Sequence, residues 1–118
     1  MVLYSFPASA QPGQPARLER VSEFAGDYVK RKERITGADA SPDGKWIAVR
    51  TIRNLSLYPA QDFVGNGGQP PREMDLKELN EAKGEGIGFA PDGALILTSE
   101  GGKKKDPATF ARLACSLD

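Results

Sequence analysis

Two Pro-Asp-Gly turns, each followed by an apolar run, constrain this chain more than any other feature. They read SPDGKWIAVRT at 41–51 and APDGALILTSE at 90–100. Proline at the second turn position and glycine at the fourth favour a type I β-turn. The residues that follow are rich in β-formers and alternate with a period of two, as in a strand. The sequence therefore predicts two β-hairpins built to one plan.

The similarity extends beyond the turns and divides the chain into tandem units of about 50 residues. With the second turn laid 49 residues after the first, Trp46 falls on Leu95 and Ile47 on Ile96. The segments VLYSFPA and LSLYPA also match, and a Gly-Gln-Pro follows each of them. The predicted single domain, 1–118, comprises two repeats at approximately 2–52 and 53–101 and an extra C-terminal strand at 109–117.

Each unit supplies four short strand-like segments. ITGADAS and EGIGFA precede the turns, KWIAVRTI and ALILTSE follow them, and LSLYP and REMDL flank a Gly/Pro-rich loop, AQDFVGNGGQPP. Two charged segments at 24–34 and 76–83 contain helix formers, but their position between strands favours loops or single turns, with a helix as the alternative. The predicted fold class is all-β, with antiparallel four-stranded sheets.

The segments ITGADASPDGKWIAVRT and GEGIGFAPDGALILTSE carry a family resemblance. SPDGK resembles the blade motif of bacterial β-propellers of the broad TolB-like and WD-repeat-like group, many of them exported. More loosely, EGI…PDG…SE resembles phytase-like and esterase-like propellers. The resemblance covers most of the chain and implies four-stranded blades, two per chain. Because such propellers have about five to eight blades, it implies completion by oligomerisation or a fragment of a larger propeller.

Composition excludes several functional classes. The chain has no histidine, which removes Ser-His-Asp and Cys-His catalysis. The single Cys115 cannot form an internal disulfide or, without histidine, an ordinary zinc site. The zero net charge argues against a nucleic-acid partner. No apolar run approaches the roughly 20 residues of a membrane span, and the N-terminus lacks the basic region of a signal peptide. We expect no nucleic-acid or membrane partner, and the compartment stays open.

Three carboxylates are candidate site residues. The resemblance implies that the innermost strands, predicted at 36–41 and 85–90, line a channel. Asp39 interrupts the first of these strands, Glu85 begins the second, and Glu100 ends a paired strand. Carboxylates at such positions can bind a hard cation such as calcium or act as general acid and base. The alternative is structural: solvation, or hydrogen bonding to the backbone of the neighbouring unit. No cofactor is assigned, and calcium is the candidate.

Arg50 is the fourth candidate site residue. It lies with Arg53 near a strand end, from where the two arginines could pair with Glu100 of the neighbouring unit in a structural role. The turn residues Asp43 and Asp92 are given no role in a site.

Two functions remain open. The absence of histidine favours a non-catalytic binding or assembly module whose protein or small-molecule ligand is unknown. The alternative is a metal-assisted hydrolase of the phytase-like or lactonase-like kind, with the three carboxylates as ligands. The sequence favours the non-catalytic module over an enzyme.

Self-association is also expected. Two units in an open wedge would expose apolar faces, carrying Trp46, Ile47, Val49, Leu95 and Ile96. Residues 1–59 carry a net charge of +3 and residues 60–118 carry −3, which favours head-to-tail contact. The favoured assembly is a ring of three chains. Because similar strands are predicted at 2–8 and 110–117, one of them is expected to complete a blade in its own chain or in a neighbour.

Overall fold

The computed structural model describes residues 2–23, 30–65, 69–102 and 106–117. Within these ranges, nine strands form three antiparallel sheets. Sheet A contains β1 (Val2–Ser5) and β2 (Glu19–Glu23); sheet B contains, in spatial order, β3 (Ile35–Ala40), β4 (Trp46–Thr51), β5 (Asn54–Pro59) and β6 (Arg72–Asp75); sheet C contains β7 (Lys83–Phe89), β8 (Leu95–Glu100) and β9 (Thr109–Leu113). The expected all-β, antiparallel fold is confirmed, although the sheets hold two, four and three strands rather than four each.

Helical structure in the described ranges is confined to short segments. The Gly/Pro-rich segment expected as a loop after β5 begins instead with α1 (Ala60–Val64), whose Phe63 contacts the ring of Tyr58 edge-on. A single 3₁₀ turn at Lys77–Leu79 confirms the prediction for 76–83. Of the segment 24–34, residues 24–29 lie outside the described ranges, and Arg31–Glu33 form a 3₁₀ turn. None of the helices described is long and apolar enough to cross a membrane.

Both Pro-Asp-Gly turns have the hydrogen bond predicted for them. The Gly44 N–H donates to the Ser41 carbonyl at 2.8 Å, and the Gly93 N–H donates to the Ala90 carbonyl at 2.9 Å. The two glycines have φ of +70° and +81°. Residues with a Cβ rarely adopt this conformation, which explains why glycine occupies the fourth position of each turn.

The two hairpins nevertheless differ by one residue in the position of the hydrogen bond that closes each turn. In the first, the Ser41 N–H donates to the Trp46 carbonyl, five residues on; in the second, the Ala90 N–H donates to the Ala94 carbonyl, four residues on. The strands after the turns are therefore aligned one residue differently from the overlay of the sequences.

The register of the sheets gives the corrected equivalence. Ala40 pairs with Ile47, and Phe89 pairs with Leu95. Ile47 thus corresponds to Leu95, and the expected match of Ile47 with Ile96 is wrong. Because successive side chains of a strand point to opposite faces, this one-residue shift exchanges the two faces of β8 relative to the overlay.

A bulge at the same place in both sheets supports this alignment. The register shifts just before Gly37 in β3 and just before Gly86 in β7. Gly37 then pairs with Arg50, and Gly86 pairs with Thr98. Arg50 and Thr98 are therefore structural equivalents.

Sheets B and C share one buried core. The front face of sheet B is defined by the paired residues Gly37, Asp39, Ala48, Arg50, Leu55 and Leu57. The back face of sheet C is defined by Ile87, Phe89, Leu95, Leu97, Ala111 and Leu113. The buried cluster combines three residues of the first set with two of the second, plus Leu76 from the connection between the sheets. Sheet A contributes no described residue to this cluster.

The expected exposure of the apolar faces is wrong. Val49 and Leu95 are buried, and Trp46, Ile47 and Ile96 are half-buried. The shifted register directs Leu95 into the core that sheets B and C share. Among the described residues, the large exposed hydrophobic side chains lie elsewhere: Val2, Tyr4, Phe6, Leu18, Ile35, Val64, Met74 and Phe110.

Candidate functional site

Asp39 lies at the junction of sheets B and C. Its Oδ2 accepts a hydrogen bond from the backbone N–H of Phe89 at 2.7 Å. This contact joins β3 of one sheet to β7 of the other, where the two strands approach closely: a Cβ added to Gly37 would lie 2.7 Å from the Glu85 carbonyl oxygen. Asp39 therefore has a structural role, the alternative to metal binding: it accepts a hydrogen bond from the backbone of the neighbouring unit.

Arg50 crosses the same junction from β4. Its side chain is 0% exposed, and its Nη1 donates to the carbonyl oxygens of Gly86 at 2.9 Å and Thr98 at 3.1 Å. Its Nη2 forms an ion pair with Oε2 of Glu81, which is only 2% exposed. A buried guanidinium needs partners for its charge and its donors. Sheet C supplies two carbonyl oxygens, and the connection between the sheets supplies the carboxylate.

Glu81 is a residue that sequence reasoning missed. It lies in the charged segment 76–83, whose composition indicated only a solvated connection between strands. Its second oxygen, Oε1, is buried without a hydrogen-bond partner among the described residues. Gly84 leaves room for the pair, because a Cβ there would lie 2.7 Å from the Arg50 Cζ and 2.9 Å from Glu81 Oε2.

The remaining candidates do not join Asp39 in a site. The Glu85 and Glu100 side chains are exposed, and Glu100 Oε2 lies 3.6 Å from Lys83 Nζ. The expected pairing of Arg50 with Glu100 is wrong, because Arg50 pairs with Glu81. In the described ranges, no group of three or more His, Cys, Asp or Glu side chains could hold a metal ion. The proposed calcium-binding set is therefore not assembled among these residues.

A groove of about 850 Å³ lies between the two Pro-Asp-Gly turns. Residues 41–46 and 91–93 form its walls, together with the start of α1 and the C-terminal residues Cys115 and Leu117. The repeated turns, predicted to have no site role, thus lie at the same end of the two sheets and share one concave surface.

The groove's two carboxylates already have partners within the chain. A hydrogen bond from Ser41 Oγ at 2.6 Å, with a second from the Lys45 N–H at 3.1 Å, lowers the pKa of Asp43. A hydrogen bond from the Ala94 N–H at 3.2 Å, supported by an ion pair with Arg112, lowers the pKa of Asp92. Hydrogen bonds within the turns thus favour the ionised form of both side chains, and Arg112 of β9 adds to this effect at Asp92.

The Cys115 thiol at the groove is not activated as a nucleophile. Burial raises the pKa of the Cys115 thiol, which lowers its thiolate fraction. The Arg72 guanidinium lies over the ring of Trp46 at 4.9 Å and donates to the Ser116 carbonyl at 3.5 Å. These contacts tie the C-terminal segment to sheet B and shape the groove as a surface.

Comparison of the chain with protein-family models, curated proteins and solved structures found no match. The placement of the candidate residues within the fold is therefore what bears on function. Asp39 and Arg50 join the two sheets, while Glu85 and Glu100 lie exposed on sheet C.

Proposed function

We propose that the chain is a non-catalytic assembly and binding module built from blades of the β-propeller type. One observation carries this proposal. Asp39 and Arg50, two of the four candidate site residues, join one sheet to the next. A carboxylate already bonded to the backbone and a guanidinium with no exposed surface hold a structure together and have little freedom to act on a substrate.

The arrangement of the sheets supports the blade interpretation. Sheet B is a four-stranded antiparallel meander, and sheet C repeats its first three strands with the same bulge. The front face of sheet B packs on the back face of sheet C. Stacking of one face on the opposite face of the next unit is what a radial repeat requires.

The alternative of a metal-assisted hydrolase has weaker support. It needs Asp39, Glu85 and Glu100 to converge on one ion, because calcium takes several oxygen ligands at about 2.3–2.6 Å. Asp39 is bonded to the Phe89 N–H, and Glu100 lies beside Lys83. The three carboxylates thus have separate surroundings.

Activity measurements test the proposal directly. The purified chain, assayed with calcium and magnesium on phosphoester, carboxylester and lactone substrates, is expected to give no turnover above background. The critical variant is Glu85→Gln, and Glu73→Gln on the exposed edge strand β6 is its matched control. Turnover that Glu85→Gln abolishes and Glu73→Gln preserves would overturn the proposal in favour of the hydrolase.

Calorimetry adds a readout that is independent of substrate choice. Titration with calcium up to millimolar concentration is expected to give only the heat of dilution. Saturable binding that weakens in both Glu85→Gln and Glu100→Gln would show that these carboxylates form a site after all.

A further inference from the structure

We infer that the front face of sheet C docks on the back face of sheet B in a second copy of this chain. This inference rests on the proposed function as an assembly module and names its partner. The front face of sheet C consists of Gly86, Gly88, Ile96, Thr98, Phe110 and Arg112. The back face of sheet B consists of Ala38, Ala40, Ile47, Val49, Ser56 and Tyr58.

The front face of sheet C is the structural equivalent of a face that is already packed. Arg50 pairs with Leu55 in sheet B, and its equivalent Thr98 pairs with Phe110 in sheet C. Leu55 is 0% exposed within the core, whereas Phe110 is 70% exposed. Among the described residues, the most exposed large hydrophobic side chain thus lies at a position that the first repeat uses for sheet-to-sheet packing.

Part of the back face of sheet B is already covered within its own chain, since Val49 is buried and Tyr58 packs against Phe63 of α1. The remainder of this face is the matching surface. Its Ile47 corresponds to Leu95, which the front face of sheet B covers within the chain. Next to Ile47, the edge strand β3 exposes the small side chains of Ala38 and Ala40. Within the chain, β3 and β7 approach closely at Gly37. Small side chains on the back of β3 would let β7 of a second copy approach in the same way. The internal packing of B on C can therefore repeat between copies.

The contact between copies lacks the two polar interactions that join sheets B and C within one chain. Asp39 corresponds to Gly88 and Arg50 to Thr98, so neither the hydrogen bond to a partner backbone nor the buried ion pair is repeated. The association is therefore expected to be reversible, with dissociation before the sheets of one copy separate. Because the two surfaces differ, the contact is heterologous, and the assembly closes only as a ring. A ring of three copies would contain three B sheets and three C sheets.

Sedimentation equilibrium across micromolar concentrations gives the first test. The wild-type chain of 12.7 kDa is expected to associate. Phe110→Glu should weaken association by about 30-fold or more, as for a central aromatic anchor. Phe6→Glu, on the equally exposed ring of the N-terminal segment, is the matched control and should leave the mass unchanged. A monomeric wild type, or a mass that Phe110→Glu does not lower, would overturn the inference.

A mixing experiment tests the head-to-tail geometry. Phe110→Glu disables the front face of sheet C, and Ala38→Glu disables the back face of sheet B. Each variant alone should be monomeric, but an equimolar mixture should form a dimer of one copy of each, since one intact surface of each kind remains. If Ala38→Glu still self-associates, or if the mixture stays monomeric, the proposed pairing of faces is wrong.

Failure of this inference is distinguishable from failure of the proposed function. A monomeric chain without turnover removes the second copy as partner and leaves the non-catalytic module intact. Turnover lost in Glu85→Gln overturns the proposed function whatever the mass. Circular dichroism and Trp46 fluorescence matching the wild type establish that each variant is folded before its mass is interpreted.

Discussion

The carboxylate of Asp39 accepts a hydrogen bond from the backbone N–H of Phe89, 50 residues further along the chain, at 2.7 Å. The bond joins the edge strands of two sheets that also meet through the buried apolar cluster and through the hydrogen bonds of Arg50. A residue that the sequence marks as a candidate ligand thus contributes to the relative placement of sheets B and C.

Asp39→Ala should lower the free energy of unfolding by about 1–3 kcal/mol, because it leaves the Phe89 N–H without its acceptor. Asp39→Asn should cost less, since the amide oxygen can still accept. Urea unfolding measures both changes, and Glu85→Ala, which removes an exposed carboxylate of the same candidate set, is the control. Equal costs for Asp39→Ala and Glu85→Ala would contradict a joining role for Asp39.

The turn glycines give a local prediction. Gly44→Ala and Gly93→Ala should each destabilise the chain by roughly 1–2 kcal/mol, because a Cβ is disfavoured at positive φ. Nothing lies within 4 Å of a Cβ at either position, so crowding does not contribute. Gly44→Asn should recover part of the loss, since asparagine tolerates this conformation. Thermal unfolding distinguishes the variants, and an Ala variant as stable as the wild type would exclude the backbone explanation.

Acid stability should depend on the same turns. Asp43 and Asp92 have lowered pKa values in the folded chain. Each therefore contributes stability that is present above the pKa of the unfolded chain and is lost as pH falls through the lower folded pKa. The loss should occur below about pH 4, near and under the ordinary aspartate value.

The Asp43→Asn, Asp92→Asn double variant checks this pH dependence. Its melting temperature should fall less steeply than that of the wild type as the solution is acidified below about pH 4. An unchanged slope would show that other carboxylates carry the acid sensitivity.

Local patterns predicted the strands well because they depend on neighbouring residues. The alternation in KWIAVRTI and ALILTSE and the turn chemistry of Pro-Asp-Gly identified β4, β8 and both hairpins. The overlay of the two repeats was wrong after the second turn. The Ala90 N–H bonds to the carbonyl four residues on, whereas the Ser41 N–H bonds to the carbonyl five residues on. Sequence similarity does not contain this difference, yet it decides which face of β8 is buried.

The candidate site was harder to predict than the fold. Asp39 was identified because it interrupts a strand of small residues, and Arg50 because it lies near a strand end; both are local properties. The partner of Arg50 depends on how segment 76–83 crosses between the sheets, and that path is set by tertiary packing. Glu81 therefore could not be distinguished in the sequence from the exposed glutamates around it, such as Glu78 and Glu85.

Cys115 offers a separate test of the groove. Burial raises the pKa of its thiol, so reaction with a disulfide reagent should be slower in the folded chain than in the urea-unfolded chain at the same pH. The rate should still be rising above the pH at which an exposed thiol levels off. A fast reaction with the folded chain would contradict the half-buried position of Cys115 beside the turns.

The central claim is that Asp39 and Arg50 join sheets B and C. A double-mutant cycle on Arg50 and its partner Glu81 tests this claim most directly. Urea unfolding of Arg50→Met, Glu81→Leu and the double variant gives the coupling energy. Each single change should cost about 3–5 kcal/mol, because it leaves a buried charge without its partner. The double variant should cost well under the sum of the two. Costs that add within about 0.5 kcal/mol would contradict the claim.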